Sequence, residues 1–81
     1  MHFTSISVDD FVALHIRANP DVDPHELKSR LHEALMSRKA GATCDCGEPI
    51  WVIGSAIVGH ACFTCITGEA VPDMDYEIAG A

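Results

Sequence analysis

The sequence predicts an α+β domain of 81 residues, with an N-terminal two-helix hairpin packed on a C-terminal β-hairpin that carries a four-cysteine metal site and one or two extra short strands. Three observations predict it. Helix-start signals stand at Ser7 and Asp23. The apolar run 50–58 is broken by Gly54-Ser55 and reads as two short strands about a tight turn. Four cysteines flank that run in two close pairs. Residues 1–41 make the helical hairpin and 42–81 the cysteine unit of one domain.

The first helix begins at Ser7, whose hydroxyl suits the N–H of the third helical residue, Asp10, with Ile6 and Phe11 as a hydrophobic staple across the cap. Val8, Phe11, Val12 and Ile16, with Leu14 at the margin, give an apolar face at helical spacing. Asn19-Pro20 ends the helix, because a residue before proline is disfavoured in the α region. The expected span is 8–18. The second start repeats this grammar, with Asp23 as cap, Pro24 at the first helical position, Glu26 at the third, and Val22 and Leu27 as the staple. Leu27, Leu31, Ala34 and Leu35 form its buried stripe, Glu26 and Arg30 stand one turn apart, and Gly41 provides a left-handed end. This helix is expected over 24–39, and the short linker 19–22 makes the two helices neighbours.

In the second half, 50–53 and 56–58 predict strands, with Gly54 opening a type II′ turn between them. Residues 62–66 predict a third strand or a turn, and 75–78 a return along an edge. A hairpin this apolar needs a cover, which the helix stripes provide. Trp51, the only tryptophan, is expected between hairpin and helices; the alternative is a partner surface shared with Ile50 and Ile57.

Cys44, Cys46, Cys62 and Cys65 are spaced as C-x-C-G, fifteen residues, then C-x-x-C. Paired cysteines at such separations read as a zinc site, with the first pair one residue tighter than usual. Thiolates about 2.3 Å from a tetrahedral zinc lie about 3.8 Å apart, a separation that two cysteines in one tight turn can reach. The expected cofactor is one Zn²⁺ per chain. Iron, thiol or disulfide chemistry, and a Cys₃His set using His60 are the alternatives. Gly47 and Gly68 relax the backbone after each pair. Size points the same way. Burying about 7,900 Å² on folding, with about 60% of it apolar, contributes about 120 kcal/mol, and ordering the chain costs about the same. The core alone roughly breaks even.

The stretch 44–65 resembles a zinc ribbon, the rubredoxin-like module in which two cysteine knuckles at one end of a β-hairpin hold one metal. More narrowly, CDCGEPIWVIGSA, CFTCITGEA and the closing DYEI are similar to a group of small bacterial proteins of unassigned function. The resemblance implies four cysteine ligands and no catalytic residues.

Twelve acidic against five basic side chains give a net charge of −7, and no basic residue follows Lys39. Such a balance opposes binding to phosphate backbones, and Lys28, Arg30, Arg38 and Lys39 read as a solvated helix face. No apolar run is long enough to cross a membrane. Met1 to Ser5 lacks a basic stretch before an apolar one, so a cytoplasmic address is expected. His15, His25 and His32 belong to the helices, and a seven-residue spacing does not suit His25 and His32 as a metal pair. Asp73, Asp75 and Glu77 lack the glycine and further ligands of a calcium loop and read as a solvated acidic edge. Thr64 and Thr67 read as polar support for the second cysteine pair. No nucleophile with a partnered base is evident. The expected function is a non-enzymatic structural-zinc protein serving protein association with an unknown protein partner; the alternative is a redox or metal-handling protein using Cys62 and Cys65 or an iron centre.

Overall fold

The computed structural model describes residues 3–72 and 75–81. In chain order it comprises β1 (Thr4–Ile6), α1 (Val8–Ala18), α2 (Pro24–Lys39), α3 (Val52–Val58), α4 (Phe63–Thr67) and β2 (Tyr76–Ile78). Over the described residues it is a mixed α+β structure, mostly helical, with one two-stranded sheet.

Both long helices start and stop where their caps require. Ser7 Oγ accepts the Asp10 N–H at 3.1 Å, and Asp23 Oδ1 accepts the His25 N–H at 2.9 Å. At the end of α2, Gly41 takes φ +95°, the Ala42 N–H donates to Ser37 O and the Gly41 N–H to Arg38 O. This is the paired arrangement that satisfies the last carbonyls of a helix. Lys28 reaches Asp9 across the helix pair at 2.9 Å, and Glu26 pairs with Arg30.

The C-terminal half departs from the expected β-hairpin. Residues 52–58 form α3, and Gly54 and Ser55 lie inside it rather than at a turn. The physical reason is burial on every side. Val52, Ile53, Gly54, Ser55 and Ala56 are all buried, so neither the alternation of a half-exposed strand nor the stripe of an amphipathic helix is written there. Gly54 is the sterically demanded residue. A Cβ at this position would stand 2.5 Å from Trp51 Cε3 and 2.6 Å from Ile66 Cδ1, so glycine lets α3 approach Trp51 and α4 closely. Residues 63–67 likewise form the short helix α4, where a third strand or a turn is expected.

The expected edge return is present as β2, but its partner is β1, which the sequence reading leaves as the approach to the first helix. The two strands run parallel in the register Thr4↔Tyr76, Ser5↔Glu77, Ile6↔Ile78. The core is assembled from Phe11 of α1, Leu27, Leu31 and Ala34 of α2, Val52, Ile53 and Ala56 of α3, and Ile78 of β2. Trp51 is half-buried. It stacks on Phe3 at 5.9 Å and meets the edge of Phe63 at 5.0 Å, while its Nε1 donates to Tyr76 O at 2.8 Å. Ile50 is fully buried, so the alternative of an exposed surface shared by Trp51, Ile50 and Ile57 does not hold. No described helix is long and apolar enough to cross a membrane.

Candidate metal centre

The first cysteine pair lies in a tight loop after α2. An isolated antiparallel bridge between Thr43 and Pro49 closes that loop at its base. Within it the Cys44 N–H donates to Glu48 O at 2.7 Å and the Gly47 N–H to Cys44 O at 2.9 Å. Gly47 takes φ +94°, a conformation that strains a side-chain-bearing residue. Cys44 and Cys46 are thus presented from a single turn. The loop is tied to α2 by Arg38 Nη1, which donates to Ile50 O at 2.7 Å.

The second pair is held by α4. Cys62 is its N-cap, and Cys62 Sγ accepts the Cys65 N–H at 3.4 Å. Gly68 closes the helix in the left-handed region at φ +81°. Thr67 Oγ1 donates to Phe63 O and accepts the Glu69 N–H, and Thr64 Oγ1 donates to Ala70 O, which matches the support expected of these threonines. Ser55 sets the approach. Its Oγ donates to Ala61 O at 3.1 Å and accepts the Ala61 N–H at 3.2 Å, while the Trp51 N–H donates to Ala61 O at 2.9 Å. The residue before Cys62 is therefore pinned to α3 from both sides.

These elements bring all four sulfurs together. The Sγ atoms of Cys44, Cys46, Cys62 and Cys65 lie within 4.8 Å of one another, and Cys46 and Cys62 Sγ are 3.5 Å apart. The edge of a tetrahedral zinc–thiolate site is about 3.8 Å, so the donor set fits one such ion. Soft thiolate donors favour zinc, copper(I) or iron over hard cations. Among the described residues this is the only cluster with metal-holding geometry. His60 is exposed and is not part of it.

The electrostatics agree with a cation-binding role. The amide N–H groups of Cys46 and Cys62 hold the Cys44 thiol down at about 6. The Cys65 thiol is pushed up to about 12 by the sulfurs of Cys44, Cys62 and Cys46. Cys46 also moves up, although the Glu48 amide pulls against that shift, because the sulfurs of Cys62 and Cys44 outweigh it. The Cys44 thiolate forms readily here, whereas those of Cys46 and Cys65 need positive charge beside them.

Burial divides the ligand set. Cys44 and Cys62 are buried, and Cys46 and Cys65 exposed. Cys46, Cys62 and Cys65 line a groove of about 560 Å³ together with Trp51 and Phe63.

The predicted acidic edge does not hold at Glu77, and Asp73 lies outside the described residues. Glu77 is buried and accepts N–H bonds from Val52 at 2.9 Å and Ile53 at 3.3 Å, so it caps α3 from another strand. It also accepts the Ile78 N–H at 2.8 Å. Trp51, the formal N-cap, supplies no side-chain acceptor. Burial pushes the Glu77 carboxyl up, with the three amide donors and Arg38 at 3.8 Å pulling the other way. The available signal was an acidic residue between Tyr76 and Ile78 in an otherwise apolar strand.

Comparison with protein-family models, curated proteins and solved structures finds no match. The chain is therefore assigned to no family. The likeness to a zinc ribbon is confined to the four-cysteine cluster, because the hairpin that defines the ribbon is replaced by α3 and α4.

Proposed function

We propose that this chain is a non-catalytic metal-binding protein in which Cys44, Cys46, Cys62 and Cys65 hold one Zn²⁺, and that the metal fixes the fold of a module for protein association. The observation that supports it is the convergence of four sulfurs within 4.8 Å of one another. When bound, zinc supplies positive charge and a tetrahedral cross-link between the two cysteine loops. Four thiolate ligands leave no position for water or substrate, which is the mark of a structural rather than a catalytic site.

The chain's own residues prepare the site. Gly47 and the Thr43–Pro49 bridge shape one loop, α4 shapes the other, and Ser55 and Arg38 anchor the segments leading into them. Structural zinc contributes an apparent 10 to 16 kcal/mol, on the order of the total stability of a domain. Chelation should therefore collapse the amide spectrum of residues 43–66, and added Zn²⁺ should restore it. A metal-free chain that keeps dispersed, protected amides throughout that segment contradicts the structural role.

A further inference from the structure

The cluster has a protected side and an open side. Cys44 and Cys62 are only 6% and 4% exposed, whereas Cys46 and Cys65 are exposed. The groove reaches Cys46, Cys62 and Cys65 but not Cys44. A small polar reagent entering it meets sulfur directly, without local unfolding.

We propose that this open side is a thiol-oxidation site: a peroxide reacts at Cys46 Sγ, Cys62 resolves the product as a Cys46–Cys62 disulfide, and the chain loses its metal. The inference rests on the metal-binding reading above and adds a route for controlled release. In the first step the Cys46 thiolate attacks one peroxide oxygen, the O–O bond breaks, and sulfenic acid forms with loss of hydroxide. In the second step the Cys62 thiolate attacks the Cys46 sulfur and expels a second hydroxide. Two thiolates are oxidised by two electrons, the peroxide is reduced by two, and two protons from solvent convert the hydroxides to water. Cys44 and Cys65 then remain as a two-ligand remnant, too few to hold zinc in a closed site.

Geometry selects this pair. The two sulfurs stand 3.5 Å apart on opposite loops, and a disulfide requires them to close to about 2.05 Å. Joining Cys44 to Cys46 would bridge two cysteines inside the turn closed by Cys44 N–H to Glu48 O and Gly47 N–H to Cys44 O. Disulfide geometry would require that turn to open. Joining Cys62 to Cys65 would act within the first turn of α4, where Cys62 Sγ already accepts the Cys65 N–H. A bond between Cys46 and Cys62 runs between the two segments and bridges no pair of residues within a single turn.

The test uses the full chain purified without added metal and treated with hydrogen peroxide. Chymotryptic cleavage after Trp51 and Phe63 leaves Cys44 and Cys46 together but separates them from Cys62, and Cys62 from Cys65. The expected result is metal release in step with loss of two hydrogens, a dominant cross-link between the Cys46 and Cys62 peptides, and recovery of metal binding after reduction with a dithiol. Tandem fragmentation at Asp45 distinguishes Cys46 from Cys44. A dominant 44–46 or 62–65 bridge, sulfinic acid without a bridge, or metal retained under peroxide overturns the proposal. Metal content is read before oxidation: a metal-free protein overturns the proposed function and this inference with it, whereas a loaded protein giving another bridge overturns this inference alone.

Discussion

Glu77 and Gly54 show how single side chains decide the second half of the chain. The Glu77 carboxylate occupies the N-terminus of α3, where Val52 and Ile53 present amides with no intrahelical acceptor. Glu77→Ala is expected to cost about 1 to 3 kcal/mol by leaving those buried donors unpaired, measured as a denaturant midpoint at fixed metal. The carboxyl is raised by burial, so its protonated form is favoured by the fold. Its contribution to stability is complete below the ordinary carboxylate range and is lost as pH rises through the raised folded value. The stability of the wild type relative to Glu77→Gln should therefore grow as pH falls through that window, and a carbon-detected NMR titration should place the Glu77 midpoint above 4.5. A flat difference, or a midpoint below 4.5, contradicts the burial argument. Gly54→Ala sets two effects against each other. Helix propensity favours alanine by about 1 kcal/mol, but the new methyl meets Trp51 and Ile66, and overpacking of this kind costs about 1 to 3 kcal/mol. A net loss of stability is expected; a gain would show that the two side chains yield freely.

Elements were legible in proportion to how much of their physics is local. The first two helices carry caps, staples and stop signals within their own residues, and α1 and α2 occupy the expected spans 8–18 and 24–39. In α3 the β-branched residues suggest strand, and the deciding interactions come from far along the chain: the cap from Glu77, and the close contacts of Gly54 with Trp51 and Ile66. The edge return over 75–78 was legible and appears as β2, but β1 and its parallel pairing with β2 join the two ends of the chain, which no local pattern records. The cysteine site was readable for the opposite reason. Ligand spacing is a property of two tight loops, and those loops form whether a strand or a helix lies between them. Ser55 is the residue through which α3 acts on the second loop, because its hydroxyl holds both the N–H and the C=O of Ala61 beside Cys62. Ser55→Ala is expected to weaken metal affinity about tenfold, because it removes the two hydrogen bonds that hold the backbone before Cys62, each contributing about 0.5 to 1.5 kcal/mol. Competition against a chelator of known affinity measures this directly, and an unchanged affinity would remove Ser55 from the account.

At the scale of the molecule, α2 and β2 pack on α3, and the cysteine cluster joins the loop after α2 to α4. A chain this small has little hydrophobic surplus, and the stretch 40–51 has no helix or strand of its own. Metal binding and folding should therefore be one equilibrium, with both lost as falling pH protonates the ligands. The central claim is that four sulfurs of one chain hold one ion. X-ray absorption at the metal edge, combined with elemental analysis of protein purified without added metal, tests it most directly. The account predicts one zinc per chain with four sulfur neighbours at about 2.3 Å; fewer than three sulfurs, a nitrogen or oxygen ligand in place of a cysteine, or a chain that carries no metal would contradict it.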